Sequence, residues 1–192
     1  MKNVLKKICL PLGICLLVAA VALPLLWQWN IKTSQQRSAA IVQTLRTLLP
    51  SVRDAVPEER RDNTMSALSL ESTDFAGILE MPRYGASMPV CATWGEVGKY
   101  PCRFTGSVYD RTLQLGATTQ AGQFDFYREI SVGDTVCFTD AEGNRYTYAV
   151  TALRYAQHAD QQALQREPAD LTLFVKNIYG FEYLIISCTV PQ

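Results

Sequence analysis

Asp170–Cys188, DLTLFVKNIYGFEYLIISC, carries two runs of alternating side chains. In Leu171–Lys176, Val175 is directed inward while Thr172, Phe174 and Lys176 share the opposite face. In the run that starts at Tyr183, Leu184, Ile186 and Cys188 share one face and Tyr183 and Ile185 the other. Period-two patterning of this kind predicts two strands of a small β-barrel, with Cys188 a buried core thiol.

The chain before this stretch continues the pattern. Short strands are predicted over Phe75–Glu80 (FAGILE), Met88–Ala92, Thr112–Thr118, Thr135–Thr139 and Tyr146–Thr151. Asp140-Ala141-Glu142-Gly143-Asn144 joins the last two as a hairpin connection. Phe124–Ile130 is predicted as one or two helical turns. Seven or eight short strands with one short helix give a mostly β chain, closed or nearly closed into a barrel. No internal repeat or low-complexity segment interrupts it.

Ahead of the barrel the chain changes character. Lys2, Lys6 and Lys7 precede an uncharged stretch, Ile8–Ile31. As a helix, Ile8–Trp29 would extend roughly 33 Å, against a hydrocarbon core of about 30 Å. Trp27 and Trp29 sit at its outer end, where amphipathic rings favour the membrane interface. The expectation is therefore an uncleaved single-pass transmembrane helix, N-terminus cytoplasmic and body extracellular, with the membrane as a partner. A cleaved signal peptide fits less well, because the apolar run is long and no small-x-small site follows it. Leu12-Gly13-Ile14-Cys15 suggests a lipoprotein site only faintly, since Ile14 is too large before the cysteine. Ser34 could cap a helix to about Leu49 whose stripe is Ile41, Leu45, Leu48 and Leu49, with Pro50 as its stop. Such a helix either packs on the folded body or receives a partner. Arg53–Asn63, charged and containing Pro57, is expected as a solvated linker. The expected divisions are residues 1–31 (tail and anchor), 32–72 (helical connector and linker) and 73–192 (barrel).

Composition narrows the function. Of 192 residues 48% are hydrophobic, enough for a packed core. After Ile31 there are 15 basic and 18 acidic residues, and no basic run is interleaved with aromatics, which argues against nucleic acid as a partner. His158 is the single histidine and there is no CxxC pair, so neither a multi-histidine metal site nor a zinc ribbon is expected. No cofactor is implied.

Several segments in fixed order resemble the sortase family, the membrane-anchored cysteine transpeptidases of Gram-positive cell surfaces, and the class B-like members in particular. They are GILEMP (Gly77–Pro82), MPV (Met88–Val90), PCRFTGS (Pro101–Ser107), VGDTVCFTDAEGNRYTYAV (Val132–Val150), DLTLF (Asp170–Phe174) and Cys188. The resemblance implies a sortase-like eight-stranded β-barrel with short helices behind an N-terminal transmembrane helix. It also implies a site in which a cysteine thiolate attacks the threonine carbonyl of a sorting motif, a histidine moves protons, and an arginine holds substrate and oxyanion. In this chain the matching positions hold Thr118 for the histidine, Lys176 for the cysteine and Tyr183 for the arginine.

Those replacements remove the chemistry. A threonine hydroxyl does not titrate near neutrality. A lysine amine, with a reference pKa of about 10.4, is protonated and a poor nucleophile unless strongly desolvated. Tyrosine lacks the charge and fork of a guanidinium. The expectation is a catalytically inactive pseudo-sortase that binds a sorting-signal-like peptide or a cell-envelope protein, with Thr118, Thr172, Phe174, Lys176 and Tyr183 as candidate peptide contacts. Two alternatives stand beside it: a transpeptidase rewired through Cys102 and His158, or a scaffold for surface-protein or pilus assembly. Cys137 and Cys188 are expected to be structural, and Cys102 the least constrained thiol. Cys91, Cys102, Cys137 and Cys188 allow three disulfide pairings, and the sequence does not choose among them. Asp170 is expected to cap or orient the loop before its strand.

Overall fold

The structure, a computed structural model, describes residues 2–58 and 63–191. One helix, α1 (Lys2–Leu48), leads into ten strands. They are β1 (Arg53–Asp54), β2 (Leu68–Leu70), β3 (Thr73–Met81), β4 (Ala86–Cys91), β5 (Cys102–Thr105), β6 (Leu113–Thr118), β7 (Thr135–Asp140), β8 (Asn144–Ala156), β9 (Leu171–Lys176) and β10 (Tyr183–Thr189). A 3₁₀ turn, Pro82–Tyr84, joins β3 to β4, and a four-residue helix, α2 (Gln161–Leu164), lies between β8 and β9.

Hydrogen bonding runs β3–β4–β5–β6–β9–β10–β8–β7 and returns to β3, so eight strands close a barrel. The short strands β1 and β2 are added beside β8 and β3. Closure leaves no open edge among the long strands. The inward sides of the alternating strands fill the barrel: Leu79, Val90, Leu113, Leu115, Val136, Phe138, Tyr148, Leu171, Leu173, Val175, Leu184, Ile186 and Cys188 are buried together. Cys188 is thus a core thiol, and burial pushes its pKa up. The β7–β8 hairpin turns on Asp140, whose carboxylate accepts the Glu142 and Asn144 N–H groups at 2.9 Å each, while Gly143 takes φ 81°.

The end of α1 packs outside the barrel. Ile41, Val42, Leu45 and Leu49 meet Phe75, Ile78, Cys91, Tyr100 and Cys102 in a second core. Leu48, expected on this stripe, is 51% exposed, and Val42 takes its place. Arg46 donates to Glu80 Oε1 at 2.6 Å and fixes the helix end to β3.

Several expectations are corrected. The sequence predicts an anchor over Ile8–Ile31 and a separate helix from Ser34, whereas α1 is continuous through both. The side chains of Ile8–Leu17 lie outside the described residues. Among the described residues no helix is long and apolar enough to cross a membrane. The transmembrane helix, the membrane partner, the single-pass topology and the cell-surface function that rested on it are overturned by this. Arg53–Asp54, expected in a solvated linker, pairs with β8, and residues 59–62 of that linker lie outside the described residues. Phe124–Ile130 forms successive turns rather than a helix, with Tyr127 N–H bonded to Phe124 O at 3.1 Å and Glu129 N–H to Phe126 O at 2.9 Å. Cys102, expected to be the least constrained thiol, opens β5 and is fully buried.

Candidate functional site

Strand register brings the three substituted positions together. Parallel pairing of β6 with β9 sets Thr118 against Lys176. Antiparallel pairing of β9 with β10 sets Lys176 against Tyr183. Thr118, Lys176 and Tyr183 therefore form one row across three adjacent strands, and directly paired side chains lie within about 5.5 Å at Cβ. The next row inward on the same face is Gly116, Phe174 and Ile185, and the one after it Gln114, Thr172 and Ser187.

Only the first row reaches solvent. Lys176 is exposed and Tyr183 half-buried, while Thr118, Thr172 and Phe174 are 4–6% exposed. Thr118 is occupied by the turn that follows it. Its hydroxyl accepts the Gln120 N–H at 3.4 Å, and its own N–H donates to Gln123 Oε1 at 3.0 Å. Thr119 continues the wiring, donating its N–H to Lys176 O at 3.0 Å and accepting the Ile178 N–H at 3.2 Å. The β9–β10 turn is closed by Asn177 N–H to Glu182 O at 3.0 Å and holds up two aromatic rings, Tyr179 at 75% and Phe181 at 98% exposure.

The chain's own aromatic side chains cover the second row. Trp94, from the connection between β4 and β5, stacks on Phe174 with ring centroids 5.7 Å apart. Phe104 meets both rings edge-on, at 5.2 Å from Trp94 and 5.5 Å from Phe174. Gly116 makes this approach feasible, because a Cβ there would lie 2.5 Å from Trp94 Cη2 and 2.7 Å from Phe174 Cε2. From the other side Leu164 of α2 packs on Phe174, Ile185 and Tyr183. Gln123 Nε2 donates to Val97 O at 3.2 Å and ties the Thr118 turn to the covering connection. An extended peptide laid along Thr172 and Phe174 would have to displace Trp94. A groove of about 800 Å³ opens to one side, between Ser34 and Arg37 of α1, Lys99, Thr119 and Ile178.

The remaining candidates are structural. Cys102 is fully buried and donates to Tyr100 O at 3.4 Å, whereas His158 stands exposed in the β8–α2 connection. The alternative of a rewired Cys102–His158 pair thus has no nucleophile open to solvent. Asp170 accepts the Val190 N–H at 2.7 Å and holds the start of β9 to the end of β10. No group of His, Cys, Asp and Glu able to hold a metal occurs among the described residues. Sequence reasoning missed Trp94, although a glycine inside a strand pattern, Gly116, is a recognised sign of close approach by another group.

No protein-family profile matches this sequence, and no curated protein is similar to it at the sequence level. Solved structures are similar in fold. Sortase C of Clostridium perfringens with the C-terminal cell wall sorting motif shares 17% identity at TM-score 0.52, over 62% of this chain and 72% of that one. Sortase C1 of Streptococcus agalactiae shares 18% at TM-score 0.52, over 65% of this chain and 72% of its own. Sortase C1 of Streptococcus suis shares 19% at TM-score 0.51, over 62% and 73% respectively. The chain has the sortase-like barrel fold. These three are sortases C, whereas the sequence segments resemble class B, and the shared barrel does not separate the two.

Proposed function

We propose that this chain is a degenerate, non-catalytic protein on the sortase-like fold, which works by contact with a partner and not by transpeptidation. One observation carries the reading: the ladder row Thr118–Lys176–Tyr183 holds no thiol, imidazole or guanidinium, and the rows behind it are dry. Loss of one member of a catalytic unit costs on the order of 10⁴–10⁶ in rate. All three are replaced. The surface that stays open is the rim, namely Lys176 and the Tyr179 and Phe181 rings of the β9–β10 turn. That rim is the contact surface in this reading.

The test compares the wild-type chain with the triple variant Thr118→His, Lys176→Cys, Tyr183→Arg, each incubated with sorting-motif peptides and examined by mass spectrometry of the intact protein. The wild type is expected to form no acyl adduct and release no amine. The triple variant is expected to gain a reactive thiol at position 176, which checks that the three positions converge on the rim. An acyl-thioester on the wild-type chain would end the non-catalytic reading. The contact surface is read separately, by copurification of partners with wild-type and Tyr179→Ser/Phe181→Ser chains. Equal recovery by both would remove the rim as the contact.

A further inference from the structure

We propose that Cys91 and Cys102 are a redox-active pair whose oxidation to a disulfide fastens the 92–101 connection, and Trp94 with it, over the β6–β9 face. The pairing is set by the fold. Cys91 and Cys102 are the Cα partners at the parallel junction of β4 and β5. Paired strands lie about 4.8 Å apart, inside the roughly 4.4–6.8 Å Cα separation that a disulfide spans. Both side chains enter the same core, with Phe75, Ile78 and Tyr100, and both are free thiols in this structure. The other two cysteines of the barrel are placed elsewhere. Cys188 is inside the barrel, and Cys137 on β7 faces Thr147. Of the three pairings open to the sequence, the fold favours one that joins Cys91 to Cys102.

The environment divides the labour between the two sulfurs. The Cys91 thiol donates to Cys102, and the Gly95 and Glu96 N–H groups point at the same sulfur, so Cys102 is held below the usual thiol range despite its burial. Cys91, as that donor and a buried one, is pushed up. In the thiol form Cys102 donates its own S–H to Tyr100 O, and once that proton is lost it is the attacking thiolate. With a low-molecular-weight disulfide as oxidant, Cys102 attacks one of its sulfurs and expels a first thiolate, leaving a mixed disulfide. Cys91 then loses its proton and attacks the Cys102 sulfur, expelling a second thiolate. Two protein thiols are oxidised, one small disulfide is reduced, and the two protons given up by the protein pass to the two expelled thiolates, which leave as thiols.

Both cysteines are at most 1% exposed, so the oxidant gains entry only when the 92–101 connection lifts. Trp94 stacks on Phe174 from within that connection, and Val97 O is held by Gln123. Oxidation and the seating of Trp94 are thereby linked.

The experiment exposes the full chain to oxidised glutathione, alkylates the remaining thiols in denaturant, and maps peptides without reduction. A Cys91–Cys102 crosslink is expected, about 2 Da lighter than the two thiol peptides together and reversed by dithiothreitol. Its rate should rise when Trp94→Ala removes the stack. In a Trp27→Phe/Trp29→Phe chain, oxidation should lower acrylamide quenching of Trp94 and raise the melting temperature by several degrees. Recovery of Cys91 and Cys102 fully alkylated, or linked to other cysteines, overturns the pairing. A crosslink that leaves Trp94 quenching and melting unchanged overturns the fastening of the cover. Cys91→Ala and Cys102→Ala, each of which must abolish both changes, distinguish this disulfide from any other.

Discussion

Gly116→Ala should destabilise the protein, and Trp94 should be the reason. In a strand interior, replacing glycine by alanine ordinarily gains about 0.5–1 kcal/mol, because glycine loses more freedom on folding. Here the added methyl would sit 2.5 Å from Trp94 Cη2 and 2.7 Å from Phe174 Cε2. Carbon atoms rest at about 3.5–4.0 Å, so a ring must retreat by roughly 1 Å. Phe174 is 4% exposed and walled by Leu164 and Ile185, whereas Trp94 is 47% exposed and has room to leave. Its departure forfeits a ring stack of about 0.5–1.5 kcal/mol and some buried area, and overpacking of this kind costs about 1–3 kcal/mol in general. Because the displaced ring is half in solvent, the lower part of that range applies, about 1–2 kcal/mol net. The assay is urea unfolding followed by far-UV circular dichroism, on wild type, Gly116→Ala, Trp94→Ala and the double variant. With Trp94 absent Phe174 can tilt into the vacated space, so the second substitution should cost much less there, with a coupling of about 1 kcal/mol. Gains from Gly116→Ala in the wild-type background, or equal costs in both backgrounds to within about 0.3 kcal/mol, would refute the cover.

Two further outcomes follow from the same geometry. Asp134 would be raised by burial, but the Tyr84 hydroxyl at 2.5 Å, the Ser131 N–H at 2.8 Å and Arg83 at 2.5 Å outweigh this and hold its carboxyl below the ordinary value of 3.8. A depressed folded-state pKa contributes stability that is present above about pH 4 and is lost as pH falls through the lower value, so the urea midpoint should drop in that acid window and do so less in Asp134→Asn, which itself costs about 1–3 kcal/mol at pH 7. On the candidate face, Lys176→Ala should lie within about 0.5 kcal/mol of wild type and Phe174→Ala should cost about 3–5 kcal/mol, measured by chemical denaturation; a Lys176→Ala cost above about 1 kcal/mol would mean that this side chain does not belong to the wet rim.

The sequence disclosed most where one side of a strand is buried. Thr135–Asp140, Leu171–Lys176 and Tyr183–Thr189 have a dry inner face, and a one-residue slip would turn Leu173 or Ile186 outward, so their alternation is strict. The strand β5 was not legible as a strand: four residues after Pro101, two of them exposed, offer no alternation to count. Without β5 the neighbourhood of Cys91 and Cys102 stays hidden, since their pairing depends on a single parallel junction. The stripe on α1 was read correctly at Ile41, Leu45 and Leu49 but not at Leu48, because the helix presents its 38–41/42–45–49 side to the barrel. Trp94 gave no local sign, being one ring in an irregular connection whose partner lies in a strand far along the chain.

The Thr118–Lys176–Tyr183 row and the covered face adjoin along the sheet. A cation is tolerable at Lys176 because that strand end opens to solvent. The same charge two residues earlier, in place of Phe174, would be desolvated beneath Trp94 and would cost several kcal/mol in effective terms. Conversely, a bare Phe174 without Trp94 and Phe104 would leave an apolar strand face uncovered, of the sort that soluble domains keep small. The aromatic cover therefore satisfies within the chain the surface that an extended ligand would otherwise satisfy. Whatever this barrel engages must approach the rim, where Lys176, Tyr179 and Phe181 stand clear of the cover, and can reach the strands behind it only by displacing Trp94.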